Sequence, residues 1–200
     1  LNEKMPFMRQ FEGKIEDNTR IVERLETIKY ILSQGGKVII LTHLGRPDGK
    51  FVENLKVDVI GDELANLLKT NVVKLDDCVG ADVLEKLSKM DSSIYLLENT
   101  RFHPEEEEND DNFAKQLASY ADLFVNDAFG TVHRAHASTA GVAKFLPSYA
   151  GLLLQKEIEV LSGLLQNPKK PVCLLTGGAK IDTKIGILNN FLQIADSFLI

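Results

Sequence analysis

The chain is poor in the features that mark membrane, secreted and nucleic-acid-binding proteins. It has only two cysteines, Cys78 and Cys173, far apart and without metal-type spacing. They suit a reducing compartment and packing roles, Cys173 within an apolar strand. No apolar run approaches the ~20 residues of a membrane span, and no signal-peptide pattern opens the chain. Cations are outnumbered, 23 Lys and Arg against 29 Asp and Glu, for a net charge of −6. That balance argues against nucleic acid or an anionic membrane as the main partner. There is no G-x-G-x-x-G. The segment 45–50 falls one residue short of a P-loop, and Phe51 stands where that loop needs Ser or Thr. Nor is there an initiator Met: the chain opens at Leu1 and stops in the apolar run 197–200, which reads as a fragment. What remains, at 44% hydrophobic and 26% charged residues, is the composition of a globular domain with a real core.

Apolar runs alternate with amphipathic ones. Residues 17–36 read as one helix with Ile21, Leu25, Ile28, Ile31 and Leu32 on a stripe, stopped by Gly35-Gly36. Strands are expected at 37–42, 71–75, 94–98 and 123–126, with helices at 55–69, 81–90 and 109–121 between them. Strand–helix alternation implies crossover units and a parallel sheet, here an α/β, Rossmann-like three-layer architecture. After Pro147 the composition changes: a long amphipathic helix at 152–166, a strand at 171–176, a helix near 184–194 and a last strand from 197. The expected organisation is a first domain over 1–150, a connecting helix over 151–167, and the start of a second similar domain over 168–200.

The chemistry collects at strand ends. Residues 38–47 (VIILTHLGRP), 94–101 (IYLLENTR) and 123–129 (LFVNDAF) are buried-type strands whose last residues are polar. Ligands of open α/β sheets sit beyond the carboxyl ends of the strands. Those ends carry His43, Arg46 and Arg101, with Arg20, His133, Arg134 and His136 placed to join them. An acidic chain that gathers arginines at one rim is suited to a multiply charged anion, although each loop alone is also compatible with ordinary solvated charge. Arg20 falls in the first turn of the expected 17–36 helix, where a cation costs roughly 0.3–1 kcal/mol against the dipole; this marks it as functional, the alternative being an ion pair with Glu16 or Glu23. Arg24 reads as an ordinary surface arginine. The glutamates at 105–108 read as helix N-terminal acids. His133 and His136 lack a completing set of metal ligands. Gly177-Gly178-Ala179-Lys180, with Lys184 one turn on, offers a backbone approach and two cations near a helix N-terminus that favours phosphate.

Five stretches together resemble the phosphoglycerate kinase family: DNTRI from Asp17, THLGRPDG from Thr42, LLENTRFHPEEE from Leu96, VNDAFGTVHRAHAS from Val125 and GGAKIDTKIG from Gly177. The resemblance implies two α/β domains joined by a long helix, one binding 3-phosphoglycerate and the other ADP or ATP with Mg2+. It implies reversible phosphoryl transfer between 1,3-bisphosphoglycerate and ADP, in a cytoplasmic monomer without nucleic-acid or membrane partners. By motif match the substrate residues are Asn2, Arg20, His43, Leu44, Gly45, Arg46, Arg101, His133 and Arg134, with Arg20 steadying the moving phosphoryl group. Gly177, Gly178, Ala179, Lys180 and Lys184 fall on the nucleotide side, Lys184 nearest the phosphates in transit. The opening segment departs from the family pattern Asp-Phe/Leu-Asn-Val-Pro, and the loops for adenosine and metal are absent, so the 200 residues alone are expected to be inactive. The residues by themselves reach only an α/β domain that binds a phospho-anion. The rival readings are a non-catalytic module of that kind and, disfavoured by the missing glycine fingerprint, a dinucleotide oxidoreductase.

Overall fold

The computed structural model of the protein describes residues 10–11, 14–15, 17–89, 91–177 and 182–199. A two-residue antiparallel pair, β1 (Gln10–Phe11) and β2 (Lys14–Ile15), comes first. Helices α1 (Thr19–Val22) and α2 (Leu25–Ser33) precede β3 (Val38–Ile40), and α3 (Asp58–Leu68) precedes β4 (Val73–Lys74). Helix α4 (Ala81–Lys89) leads to β5 (Ile94–Leu96). Helices α5 (Pro104–Glu108) and α6 (Asp111–Ala118) lead to β6 (Phe124–Asn126), and short 3-10 and π turns lead on to β7 (Ser148–Ala150). Then come α7 (Leu152–Gln166), β8 (Cys173–Leu175), α8 (Asp182–Phe191) and β9 (Ser197–Leu199).

Strands β3, β5 and β4 pair in parallel with β5 in the middle, Val38 opposite Ile94 and Val73 opposite Tyr95. The period of two along β5 sends alternate side chains to opposite faces. Ile94 and Leu96 pack with Ile21, Leu25, Ile28 and Leu64; Tyr95 and Leu97 pack with Val83, Leu87, Phe113 and Leu117. A helical layer therefore covers each face of the sheet, the three-layer α/β arrangement expected of a buried parallel sheet. Tyr95 carries its hydroxyl out of that core to donate to Asp91 Oδ1 at 2.7 Å.

The expected single helix over 17–36 is two. In an unbroken helix the Arg20 carbonyl would accept the Arg24 N–H. Here the Arg24 guanidinium occupies that carbonyl, and the Arg24 N–H bonds to Ile21 O at 3.1 Å instead. Arg24 is thus a half-buried cation bound to backbone rather than a plain surface arginine. The stop at Gly35 is as expected: its φ of +77° is a left-handed cap.

Strand β7, like the β1–β2 pair, had no sequence signal, and nothing in the sequence separated α5 from α6. Strand β7 is exposed throughout and exists by parallel pairing with β6, Phe124 N–H to Pro147 O at 2.9 Å and Gly151 N–H to Asn126 O at 2.8 Å. Helix α5 is a separate element from α6, ended by Asn109 at φ +55°, while Asp110 caps α6 through the Phe113 N–H at 2.8 Å.

The chain divides into two compact units, the first ending at Leu154 and the second starting at Gln155. In the first unit the start of α7 is tethered by side chains. Asp127 Oδ1 accepts the Leu154 N–H at 2.9 Å, Thr27 Oγ1 accepts the Leu152 N–H at 2.9 Å, and Thr27 donates to Asp127 Oδ2 at 2.6 Å. In the second unit β8 pairs in parallel with β9, with α8 as the intervening helix. Cys173 lies in β8 as expected, but it is exposed rather than packed inside.

Candidate functional site

The loops that follow β3 and β5 lie side by side because their strands are neighbours in one parallel sheet. The Leu97 N–H bonds to Ile40 O at 3.1 Å and the Thr100 N–H to Thr42 O at 3.1 Å, which continues the pairing past the strand ends into residues 42–46 and 99–101. Gly45 turns the first loop at φ +66°, and a Cβ there would meet Leu55 Cδ2 at 2.8 Å, so a side chain would be strained and would crowd Leu55. A 3-10 turn, Thr100–Phe102, carries Arg101 on the second loop.

Arg101 is the centre of the arrangement. Its side chain is 4% exposed, donates from Nη1 to the Gly45 carbonyl at 2.9 Å, and has Nε 3.1 Å from Glu107 Oε1. Nη2 is shielded from water and has no hydrogen-bond partner. Burial foremost lowers the guanidinium's pKa; Glu107 opposes this, and Arg134 and Arg46 add to it. A buried cation beside two further arginines, with Nη2 unpaired and Nε held only by its ion pair to Glu107, is a costly arrangement that a bound anion would relieve.

His43 reports the same field. Burial, then the positive charges of Arg101, Arg134 and His136, push its imidazole down to about 3. It is neutral at physiological pH, able to donate or accept a hydrogen bond without adding charge.

The third contributor is the loop 127–136 after β6. Glu106, 1% exposed, holds it: Oε2 accepts the Ser138 N–H at 2.9 Å, Oε1 accepts the Ser138 hydroxyl at 2.6 Å, and Oε1 lies 3.6 Å from His136 Nδ1. Glutamates 105–107 do form the first turn of α5, but Glu106 is a buried anchor, not a solvated acid. Thr139 closes the loop by accepting the His136 N–H at 3.1 Å and donating to Arg134 O at 3.0 Å. His133 is exposed, its Nε2 3.4 Å from Arg134 Nε, and Arg134 is half-buried.

The remaining expected residues fall in several places. Arg46 is exposed at the mouth of its loop. Leu44, assigned to the rim by its motif, is a core side chain packed with Val57, Ile60 and Ile94, and Asn99 takes both its backbone polar groups. Arg20 lies in the last turn of a four-residue helix, so the dipole argument made for it does not apply. Its neighbour Ile21 packs in the same apolar cluster as Leu44. Gly177 lies two residues past the end of β8, next to Thr176, whose N–H reaches Leu199 O at 2.8 Å. Lys184 belongs to α8, its side chain outside the described residues, and Asn2, Gly178, Ala179 and Lys180 lie outside them altogether.

Sequence reasoning passed over Asn99, Glu98 and Glu106, the buried polar residues that hold these loops. The available signal was a Glu-Asn pair directly after a fully apolar strand. Among the described residues, one group of three potential metal ligands exists, Asp77, Cys78 and His103. A thiol, an imidazole and one carboxylate are poor donors for Mg2+, which needs an oxygen-rich octahedral set. Each is also already engaged: His103 Nε2 lies 2.6 Å from Asp77 Oδ1, and the Cys78 thiol donates to Glu98 O at 3.0 Å. No helix of the described residues is long and apolar enough to cross a membrane.

The family model described as phosphoglycerate kinase matches residues 4–200. The chain is 52% identical to a phosphoglycerate kinase of Dictyoglomus turgidum over 94% of its own length and 48% of that protein's. It is 51% identical to one of Moorella thermoacetica over 94% of its length and 48% of the relative's. Solved phosphoglycerate kinases match as structures: that of Coxiella burnetii with a TM-score of 0.80 at 38% identity, over 96% of this chain and 48% of that one. That of Pyrococcus horikoshii matches with a TM-score of 0.84 at 32% identity, over 96% and 49%. The chain spans about half the length of the relatives it matches.

Proposed function

This chain belongs to the phosphoglycerate kinase family, and on that footing we propose that its first unit binds 3-phosphoglycerate in the full-length parent. That parent transfers a phosphoryl group reversibly between 1,3-bisphosphoglycerate and ADP, giving 3-phosphoglycerate and ATP. The observation that carries the reading is Arg101: a buried guanidinium whose Nη2 has no hydrogen-bond partner, in a positive field with Arg46 and Arg134 that keeps the neighbouring His43 neutral.

Phosphoryl transfer asks little covalent chemistry of a protein; it asks for in-line positioning, exclusion of water and cations around moving charge. A rim of arginines without a paired nucleophile and base fits that demand. In this reading Arg101 and Arg134 take the substrate's anionic groups, with Arg46 closing over them and His43, neutral, supplying a hydrogen bond. His133 and the backbone at Gly45 complete the contacts. Arg20 steadies the phosphoryl group in transit, and Asn2 stands with the substrate residues. Gly177 to Lys180 and Lys184 serve the nucleotide in the second unit, and α7 connects the two units. The nucleotide brings Mg2+, which neutralises phosphate charge when bound. The described residues do not offer its ligand set, and no step above runs through it. The parent acts as a cytoplasmic monomer on small phosphorylated substrates; the net charge of −6 on these 200 residues disfavours nucleic acid or an anionic membrane as a partner.

The test is a calorimetric titration of the full-length parent with 3-phosphoglycerate, in parallel with Arg101→Met. Binding that disappears in the variant supports the reading; equal binding by both proteins overturns the assignment of this rim.

A further inference from the structure

Asn99 is 0% exposed, and its carboxamide makes every hydrogen bond that group can make. Nδ2 donates to Leu44 O at 2.8 Å and to Leu55 O at 2.9 Å. Oδ1 accepts the Leu44 N–H at 3.3 Å and the Arg101 N–H at 3.1 Å. One side chain therefore fixes three backbone segments: the turn that presents Gly45 and Arg46, the 3-10 turn that carries Arg101, and the 53–57 segment that returns toward α3. Glu98 supports it from behind, its Oε1 accepting the Asn99 N–H at 2.8 Å and the Val57 N–H at 3.0 Å, with Lys74 against its other oxygen. Asn99 and Glu98 are both buried, at 0% and 2% exposed.

We propose that Asn99 is a positioning residue for the phosphoglycerate site, setting the distance between Arg46 and Arg101 through the backbone of the 42–46 loop. This rests on the reading of the rim given above. Two anionic groups on one small substrate must meet cations at a set spacing, and a charge-assisted hydrogen bond lost to a displaced cation costs about ten- to a hundredfold in affinity. A loop turned by glycine at φ +66° has little stiffness of its own. Its spacing from Arg101 comes from contacts across the chain, and Asn99 supplies three of them in addition to Arg101 Nη1 on the Gly45 carbonyl.

A merely structural asparagine would lower stability on removal without regard to Arg46, so the test is a double-mutant cycle in the full-length parent. Wild type, Asn99→Ser, Arg46→Ala and the double variant are titrated calorimetrically with 3-phosphoglycerate, and separately with ADP. The expected result is that Asn99→Ser weakens phosphoglycerate binding by about ten- to a hundredfold, as for a charge-assisted hydrogen bond lost, leaves ADP binding unchanged, and adds little once Arg46 is gone. Additive losses, or an equal loss of ADP binding, would overturn the role of Asn99 while leaving the reading of the rim intact. Absence of phosphoglycerate binding by the wild type would overturn both. If Asn99→Ser does not fold, Asn99→Asp, which keeps both acceptor contacts of Oδ1, takes its place in the cycle. If that also fails to fold, Asn99 is a folding determinant and the positioning role falls.

Discussion

Arg101 and Gly45 are joined by a 2.9 Å hydrogen bond from Nη1 to the carbonyl oxygen, a side chain on one loop holding the backbone of another 56 positions away. The contact leaves the guanidinium partly satisfied and partly open. It uses the planar fork: one edge is fixed to protein while Nη2 stays buried and unpaired. A lysine has no second edge to offer.

Replacing Arg101 by Lys in the full-length parent should therefore weaken 3-phosphoglycerate binding by roughly ten- to a hundredfold, the worth of a charge-assisted hydrogen bond. Smaller losses of the same kind are expected for Arg46→Lys and Arg134→Lys. Calorimetric titration measures all three, and wild-type affinity in every variant would remove the assignment.

For Arg20→Ala we expect a different pattern: turnover falls by about 10³–10⁵, as for arginines that stabilise a transferring phosphoryl group, while phosphoglycerate affinity changes little. Steady-state kinetics would decide. A raised KM with unchanged kcat would make Arg20 a uniform binder.

Thr27→Val tests the tether at the start of α7. The hydroxyl donates to Asp127 at 2.6 Å and accepts from the Leu152 N–H at 2.9 Å, so an isosteric methyl leaves both partners unmatched. Stability should drop by about 1–3 kcal/mol, read as a lower urea midpoint at unchanged slope. An unshifted midpoint would show that water replaces the hydroxyl without cost.

His43 gives a pH prediction. Its folded value, about 3, lies below the ordinary 6.5, so between those values the unfolded chain binds a proton that the folded chain refuses. Its contribution to stability is whole above pH 6.5 and declines as pH falls toward 3, by at most about 1.4 kcal/mol per pH unit. His43→Gln should flatten that limb of the urea-midpoint profile. An NMR titration that finds the imidazole half-protonated near pH 6 would refute the burial argument.

Much of the frame was legible without coordinates. The apolar runs ending in His43, Arg101 and Asn126 are β3, β5 and β6 with their following loops; Gly35 does stop its helix; and Leu152–Gln166 is the helix its amphipathic stripe indicated. The misses share a physical character. The helix break at Glu23–Arg24 turns on where one guanidinium goes, and β7 on a partner strand that compensates for its exposed, patternless sequence.

Periodicity, caps and glycine turns are local properties of a chain. They determined the alternation of helices and strands, the parallel sheet and the arginines at its strand ends. Whether a polar side chain near a strand end faces solvent or core is not local. Leu44 and Asn99 are 55 positions apart, Glu106 and Ser138 are 32, and only the tertiary fold brings either pair together. Once together they must be paired, since a buried amide or carboxylate without partners costs several kcal/mol. Tertiary structure thus turned Leu44 inward, made Glu106 and Asn99 anchors, and left Arg101 with a donor to spare.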